Sequence, residues 1–143
     1  MIKASDLFDL PTCLERFSEF FTPDMSPWEW VKNIKSALAS VDFSKLETKR
    51  DIPSGVSISG DVYIHPSAKL PPYAVIVGPA WIGANVEMRI GCFIRGNVII
   101  GDGSIVGNSC EYKNSLLLEK VQTPHYNYVG DSVLGNRSHL GAG

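Results

Sequence analysis

Five side chains in the second half of this sequence could do polar chemistry together: Arg95, Lys113, His125, Tyr128 and His139. An imidazole that titrates near neutral pH can take a proton from an attacking amine. A guanidinium and an ammonium can together hold a phosphate. Arg95 and Lys113 are 18 residues apart, and each directly follows an apolar residue, in Ile94-Arg95 and Tyr112-Lys113. The two cations would repel if brought close, so something anionic must relieve them. A surface ion pair with Glu111 or Glu87 would do so, and so would a bound phosphate. His65, beside Pro66, has no chemical company and reads as surface.

What could bring such residues together is a six-residue rhythm. Stepping by six from Ile52 gives Ile58, Ile64, Leu70, Ile76, Ile82, Met88, Ile94, Ile100, Val106 and Tyr112, all apolar. Four places after each stands a residue that is nearly always small, such as Ala68, Ala74, Ala80, Cys92, Ser104 or Cys110. Hexapeptide periodicity of this kind marks a parallel β-helix, in which one apolar position stacks into interior ladders and small residues admit tight corners. If three hexads make one coil, Arg95 and Lys113 become vertical neighbours, about 4.8 Å apart at the backbone. Cys92 and Cys110 then lie inside as small buried hydrophobes.

The rhythm slips after Tyr112. Its next in-phase members are read as Tyr128, Leu134 and Leu140. From Leu118 to Tyr128 is ten residues where six are due, so four extra residues are expected to leave the wall as a loop around Thr123-Pro124, carrying His125. Tyr128 is expected to serve as a ladder residue.

Residues 1–50 hold none of the 13 glycines and read as a helical N-terminal cap; residues 51–143 form the repeat domain. Thr12–Glu15 and Ser26–Glu29 both fit a capping box, with Pro27 at a first helical position. Trp28, Val31, Ile34 and Leu38 recur at helical spacing, and their stripe is expected to cover the open end of the repeat stack.

Composition excludes several classes. A net charge of −2, with both signs mixed, gives no electrostatic case for nucleic acid or an anionic membrane. No apolar run is long enough to span a bilayer, and the acidic N-terminus lacks a signal-peptide core, so a cytoplasmic protein is expected. Three widely spaced cysteines make neither a disulfide framework nor a zinc motif, and no metal is expected.

Pro124-His-Tyr-Asn-Tyr-Val-Gly-Asp131 followed by Leu134-Gly-Asn-Arg-Ser-His-Leu-Gly-Ala-Gly143 resembles the acetyltransferase half of the bifunctional N-acetylglucosamine-1-phosphate uridyltransferase/glucosamine-1-phosphate acetyltransferase family. The upstream arginine and lysine fall in register on Arg95 and Lys113, and the likeness covers roughly residues 52 to 143. The resemblance implies a left-handed parallel β-helix, a triangular prism of hexapeptide repeats, with a short helical N-terminal segment. It implies that His125 is the general base on a sugar amine and that Arg95, Lys113 and Tyr128 hold the sugar phosphate. It places the main chain at Ala142 near acetyl-CoA, and His139 where the family has a substrate-contacting asparagine, which leaves the exact sugar open. Prisms of this family usually form homotrimers with sites between subunits. The family continues with further coils, so the β-helix is expected to be incomplete after Gly143.

The leading expectation is therefore an acetyl-CoA-dependent N-acetyltransferase acting on an amino-sugar phosphate such as glucosamine-1-phosphate. A second reading is a non-catalytic oligomerisation module, or a partner of a sugar-1-phosphate nucleotidyltransferase; no phosphate-binding glycine loop is present for that second chemistry. A third is a trimeric metal hydrolyase of the carbonic anhydrase type, using His65, His125 and His139, whose spacing does not resemble that family's.

Overall fold

The computed structural model describes residues 1–46 and 49–143; Glu47 and Thr48, inside the expected cap, lie outside the described residues. Gly55 onward winds as a left-handed parallel β-helix. Three walls recur. The first stacks β1 (Gly55–Ser59), β3 (Tyr73–Val77), β6 (Cys92–Ile94) and the opening residues of β9 (Glu111–Leu117) and β11 (Tyr128–Leu134). The second stacks β2 (Val62–Ile64), β4 (Ala80–Ile82), β7 (Val98–Ile100) and the closing residues of β9 and β11. The third stacks β5 (Glu87–Met88), β8 (Ile105–Asn108) and β10 (Gln122–His125). All pairings are parallel, as a coil that repeats in one sense requires.

The ladder is the core. Ile76, Ile82, Ile94, Ile100, Val106 and Tyr112 are fully buried, and Ala74, Ala80, Cys92, Val98 and Cys110 fill the positions between them. Burial pushes the Cys92 thiol up, far from reactive thiolate character. The first ladder members, Ile52 and Ile58, stay partly exposed at the open end. There Arg50 donates to the carbonyls of His65 (3.0 Å) and Ala68 (2.8 Å), giving them the partners that an earlier coil would supply.

Each corner carries a column of left-handed backbone conformations. Gly91, Ser109 and Tyr126 (φ 76°, 53° and 48°) mark one, and Asn85, Gly103, Lys120 and Arg137 (57°, 72°, 51° and 61°) mark another. The third runs through Gly60, Gly96, Asn97, Asn114 and Asp131 (76°, 101°, 54°, 45° and 48°). Asn and Asp tolerate this conformation, which explains how the third corner turns without glycine at Asn114 and Asp131.

The slip after Tyr112 has a different cause from the one expected. Ala74 pairs with Cys92 and Ile94 with Tyr112, an 18-residue coil. Val98 pairs with Ser115 and Glu111 with Tyr128, a 17-residue coil. One residue is lost at the third corner, where Asn114 turns the chain in a single left-handed step. The ladder therefore continues through Leu117, Thr123, Val129, Leu134 and Leu140. No four-residue loop leaves the wall: Thr123, Pro124 and His125 are strand residues paired with β8. Tyr128 is not a ladder residue; it is 61% exposed and its neighbour Val129 is buried. Leu118 likewise faces outward, into the helical segment.

Tyr112, the one large polar ladder residue, sits wholly inside. Its hydroxyl accepts from the Gly107 N–H (3.2 Å) and bonds the Thr123 hydroxyl, and burial raises its ionisation beyond the usual tyrosine range. Tyr112→Phe is expected to cost about 1–3 kcal/mol, because it leaves a buried donor without a partner. Urea unfolding with an unchanged slope would measure it.

The helical segment covers a side, not only an end. Helix α1 (Pro27–Ala39) begins with Pro27 and has the Ser26 N–H donating to the Glu29 carboxylate at 2.8 Å. Thr12 opens a 3-10 turn, Thr12–Phe17, without a side-chain cap, so the first expected capping box is absent. The buried face of α1 is Trp30, Ile34, Ala37 and Leu38; Trp28 points outward. This face joins Leu14, Phe17 and Phe21 against the outer row Trp81–Ile99–Leu116 of the second wall. That row is apolar on its outer face as well as its inner one, so it needs a cover, and the helix supplies it. The expected covering of the open end falls instead to Phe43, Leu46 and Arg50, which line a cleft over Ile52, Ile58 and Ile64.

Candidate active site

The first wall is left uncovered by the helical segment, and its outer row reads Ser57, Val75, Phe93, Glu111, Tyr128. Val75 and Phe93 are partly exposed apolar residues on it. Arg95 and Lys113 leave the end of this wall at one register position on adjacent coils, where the Arg95 N–H donates to the Tyr112 carbonyl at 2.8 Å. The next coil presents Gly130 beneath Lys113. A Cβ at Gly130 would collide with the Tyr128 phenol, its Cζ at 2.7 Å. The φ of Gly130 is not positive, so it is the Tyr128 ring that needs glycine here. The phenol thus lies across the cation column; the Glu111 carboxylate, hydrogen-bonded to Arg95, raises the guanidinium above its ordinary value, and Tyr128 adds a smaller push in the same direction.

Both cations have carboxylate partners. Arg95 Nη1 donates to Glu111 Oε2 at 2.6 Å, and Lys113 Nζ lies 3.3 Å from Asp131 Oδ2. Glu111 was one of two partners expected; Glu87 instead pairs with Arg89 at 3.1 Å. Asp131 was not foreseen. The Asn114 amide donates to it at 2.9 Å, and this bond, with Lys113, holds its carboxyl below the usual range. Asn114 and Asp131 stand 17 residues apart at corner positions, a signal for the shortened coil that the hexad count overlooked. Because the Asp131 value is depressed on folding, its contribution is complete above the ordinary carboxylate value and is lost as pH falls through the depressed one. Asp131→Asn is expected to lower the melting temperature slightly at neutral pH and not at all in strong acid; a melting series across pH measures the difference. The effect is small because the pair is exposed and salt screens it.

His125 ends β10 at the corner where the third wall turns into the first, in register with Asn108. It is exposed. The left-handed Tyr126 follows it and fixes the direction in which the chain enters the first wall. Five register positions, with the Ser109/Tyr126 corner among them, separate the Asn108 and Lys113 rows, so His125 and the cation pair flank the first wall with Tyr128 between them.

His139 bridges Gln122 at the far end of β10, so it does not stack on His125. The chain end returns to the His125 corner: the Asn127 amide donates to the Gly141 carbonyl at 2.7 Å, and Gly143 lies against the Tyr126 carbonyl. Ala142 is between these two contacts. His65 bonds Ser67 through Nδ1 and stands on an early coil. Among the described residues, no group of three or more histidine, cysteine or acidic side chains is placed to hold a metal. No helix among them is long and apolar enough to cross a membrane.

Comparison with known proteins agrees with this architecture. A family model described as the GMPPB C-terminal domain matches residues 76–143. The chain is 36% identical over 115 residues to the "Bifunctional protein GlmU" of Methanococcus maripaludis strain C5, a match covering 80% of this chain and 27% of that protein. It is 32% identical over 117 residues to the "Bifunctional sugar-1-phosphate nucleotidylyltransferase/acetyltransferase" of Sulfurisphaera tokodaii, covering 82% of this chain and 29% of that protein. A third relative, the "Bifunctional protein GlmU" of Thermodesulfovibrio yellowstonii, is 42% identical over 57 residues, covering 38% of this chain and 13% of that protein. The chain thus spans little more than a quarter of the first two relatives. Coil geometry and sequence likeness converge: this chain is a hexapeptide-repeat left-handed β-helix that is similar, over about four-fifths of its length, to GlmU-type bifunctional proteins.

Proposed function

We propose that this protein is an N-acetyltransferase that moves an acetyl group from acetyl-CoA to the 2-amino group of an amino-sugar phosphate such as glucosamine-1-phosphate. The observation that carries the reading is the register that stacks Arg95 on Lys113 beside Tyr128, on the wall whose other edge bears His125. The sequence likeness to relatives named for acetyltransferase activity supports it. The free amine attacks the thioester carbonyl, a C–N bond forms, the C–S bond breaks, and coenzyme A leaves as its thiolate. His125 takes the proton the amine must lose. Arg95, Lys113 and the Tyr128 hydroxyl hold the phosphate and so fix the amine in reach of His125. To do this the two cations exchange Glu111 and Asp131 for the phosphate; exposed ion pairs are weak enough to allow it. His139 contacts the sugar, and the main chain at Ala142 lies near the acetyl donor. A homotrimer would close the site, because the first wall offers Val75 and Phe93 to a neighbouring copy.

The test is release of free thiol from acetyl-CoA by the purified protein, with and without glucosamine-1-phosphate. Release that does not depend on the sugar phosphate rejects the assignment. One observation favours the rival reading of a non-catalytic module: both cations already have carboxylate partners, so no excess positive charge awaits a phosphate. Calorimetry separates the two readings, since a pure assembly module takes up neither coenzyme A nor glucosamine-1-phosphate.

A further inference from the structure

A second cleft opens beside the candidate acceptor site, where the start of α1 meets the third corner of the β-helix at Asp131. Its volume is about 330 Å³, and Phe8, Pro27, Trp28, Val31, Asp131 and Val133 line it. Trp28 is 55% exposed, whereas Trp30 and Trp81 are buried, so one indole is offered to solvent on an otherwise well-packed helix. Asp131 joins this cleft to the cation column: it lines the cleft and also pairs with Lys113 at 3.3 Å. Arg95 is one coil beyond Lys113.

We propose that the Trp28 cleft receives the base of a nucleoside diphosphate, so that the acceptor is a nucleotide-linked amino sugar. The inference rests on the acceptor site described under Proposed function and names its substrate class. The lining decides between occupants. A saccharide ring brings many hydroxyls, and this cleft offers them the Asp131 carboxylate and the Ser132 hydroxyl, which is already donating to the Gly130 carbonyl at 2.6 Å. An acyl chain would leave the Asp131 carboxylate against hydrocarbon. A heteroaromatic base has two apolar faces for Trp28 and Val133 and an edge N–H for a carboxylate. When the diphosphate draws Lys113 and Arg95 away from their carboxylates, Asp131 stays oriented by Asn114 at 2.9 Å and is free to accept that N–H. The base, the diphosphate and the amine would then lie in order over Trp28, the cation column and His125.

The experiment measures binding of UDP, GDP, ADP and glucosamine-1-phosphate to the wild type, Trp28→Ala and Trp28→Phe, by calorimetry and by tryptophan fluorescence. Trp28 is exposed, so its replacement leaves the fold intact, which a melting curve checks. At least one nucleoside diphosphate is expected to bind the wild type and quench its fluorescence. Trp28→Ala should weaken that binding roughly tenfold or more, as loss of a base-stacking ring does, and Trp28→Phe should keep most of it. Affinity for glucosamine-1-phosphate should be the same in all three. Nucleotide affinity indifferent to Trp28, or sugar phosphate binding without any nucleotide binding, overturns the inference. Absence of both kinds of binding removes the acceptor site and the subsite together. Trp28-dependent nucleotide binding in a protein that transfers no acetyl group would support the subsite and reject only the transferase reading.

Discussion

Replacing His125 with alanine is expected to lower acetyl transfer by about 10²–10⁴-fold, the usual worth of a positioned general base. An amine attacking a thioester must shed a proton, and no other imidazole shares the His125 corner; His139 is displaced along β10 to the Gln122 row. The loss should fall on kcat, because in the proposed binding mode the acceptor's phosphate end would be held by Arg95, Lys113 and Tyr128, which register places at the other edge of the wall. The KM for the sugar phosphate should change little. His125 is exposed at a strand end, so its removal opens no cavity, and an unchanged melting temperature serves as the control. Equal rates in wild type and variant would take the base assignment away from His125 while leaving the fold and the phosphate site untouched.

The largest effect on stability is expected from Gly101→Ala. A Cβ at this position would overlap the carbonyl oxygen of Leu118 on the next coil, with the Leu118 carbonyl carbon at 2.5 Å. The obstacle is backbone, not a flexible side-chain tip, so relief requires parting the two coils. The Gly101 N–H also donates to the Leu117 carbonyl at 2.8 Å, and the Leu118 N–H donates to the Leu134 carbonyl of the following coil at 3.1 Å. Parting the coils would disturb these bonds as well as the packing of Ile100 on Leu117. A loss of about 3 kcal/mol or more is expected, the upper end for overpacking. Gly141→Ala, with nothing near its Cβ position, should stay within about 0.5 kcal/mol of wild type. Chemical denaturation of both variants checks this, and equal stability would mean that the coils are more loosely stacked than their hydrogen bonds indicate.

Hexad spacing made most of the β-helix legible. Period six drifts around a helix, and a run from Ile52 to Tyr112 is far too long for one strand, so the apolar residues must stack on successive walls of a coil. It also predicted that Arg95 and Lys113 would be vertical neighbours, since both fall within the regular 18-residue coil. The same counting failed past Tyr112. The corners at Asn114 and Asp131 are each one residue short, so Val129 and Leu134 are five residues apart, and counting six back from Leu134 lands on Tyr128 in place of the inward Val129. The corner residues held the correct signal, because Asn97, Asn114 and Asp131 keep left-handed backbone at a spacing of 17. Stacked apolar positions tolerate Leu116, Leu117 or Leu118 equally in a pattern, whereas the left-handed step of the third corner falls on Asn97, Asn114 and Asp131, the non-glycine types that favour it.

By itself, the sequence determined the repeat, the interior ladder, the apolar helix before it and the pairing of two cations, because each follows from local spacing and elementary sterics. Three things were decided by tertiary structure alone: which wall the helix covers, which carboxylates meet Arg95 and Lys113, and the cleft beneath Trp28. Each depends on contacts between residues far apart in the chain, such as Trp81 with Phe17, Lys113 with Asp131 and Trp28 beside Val133. Periodicity fixes what lies one coil away; it carries no information about where a non-repeating segment folds back, which is set by whichever apolar face remains uncovered.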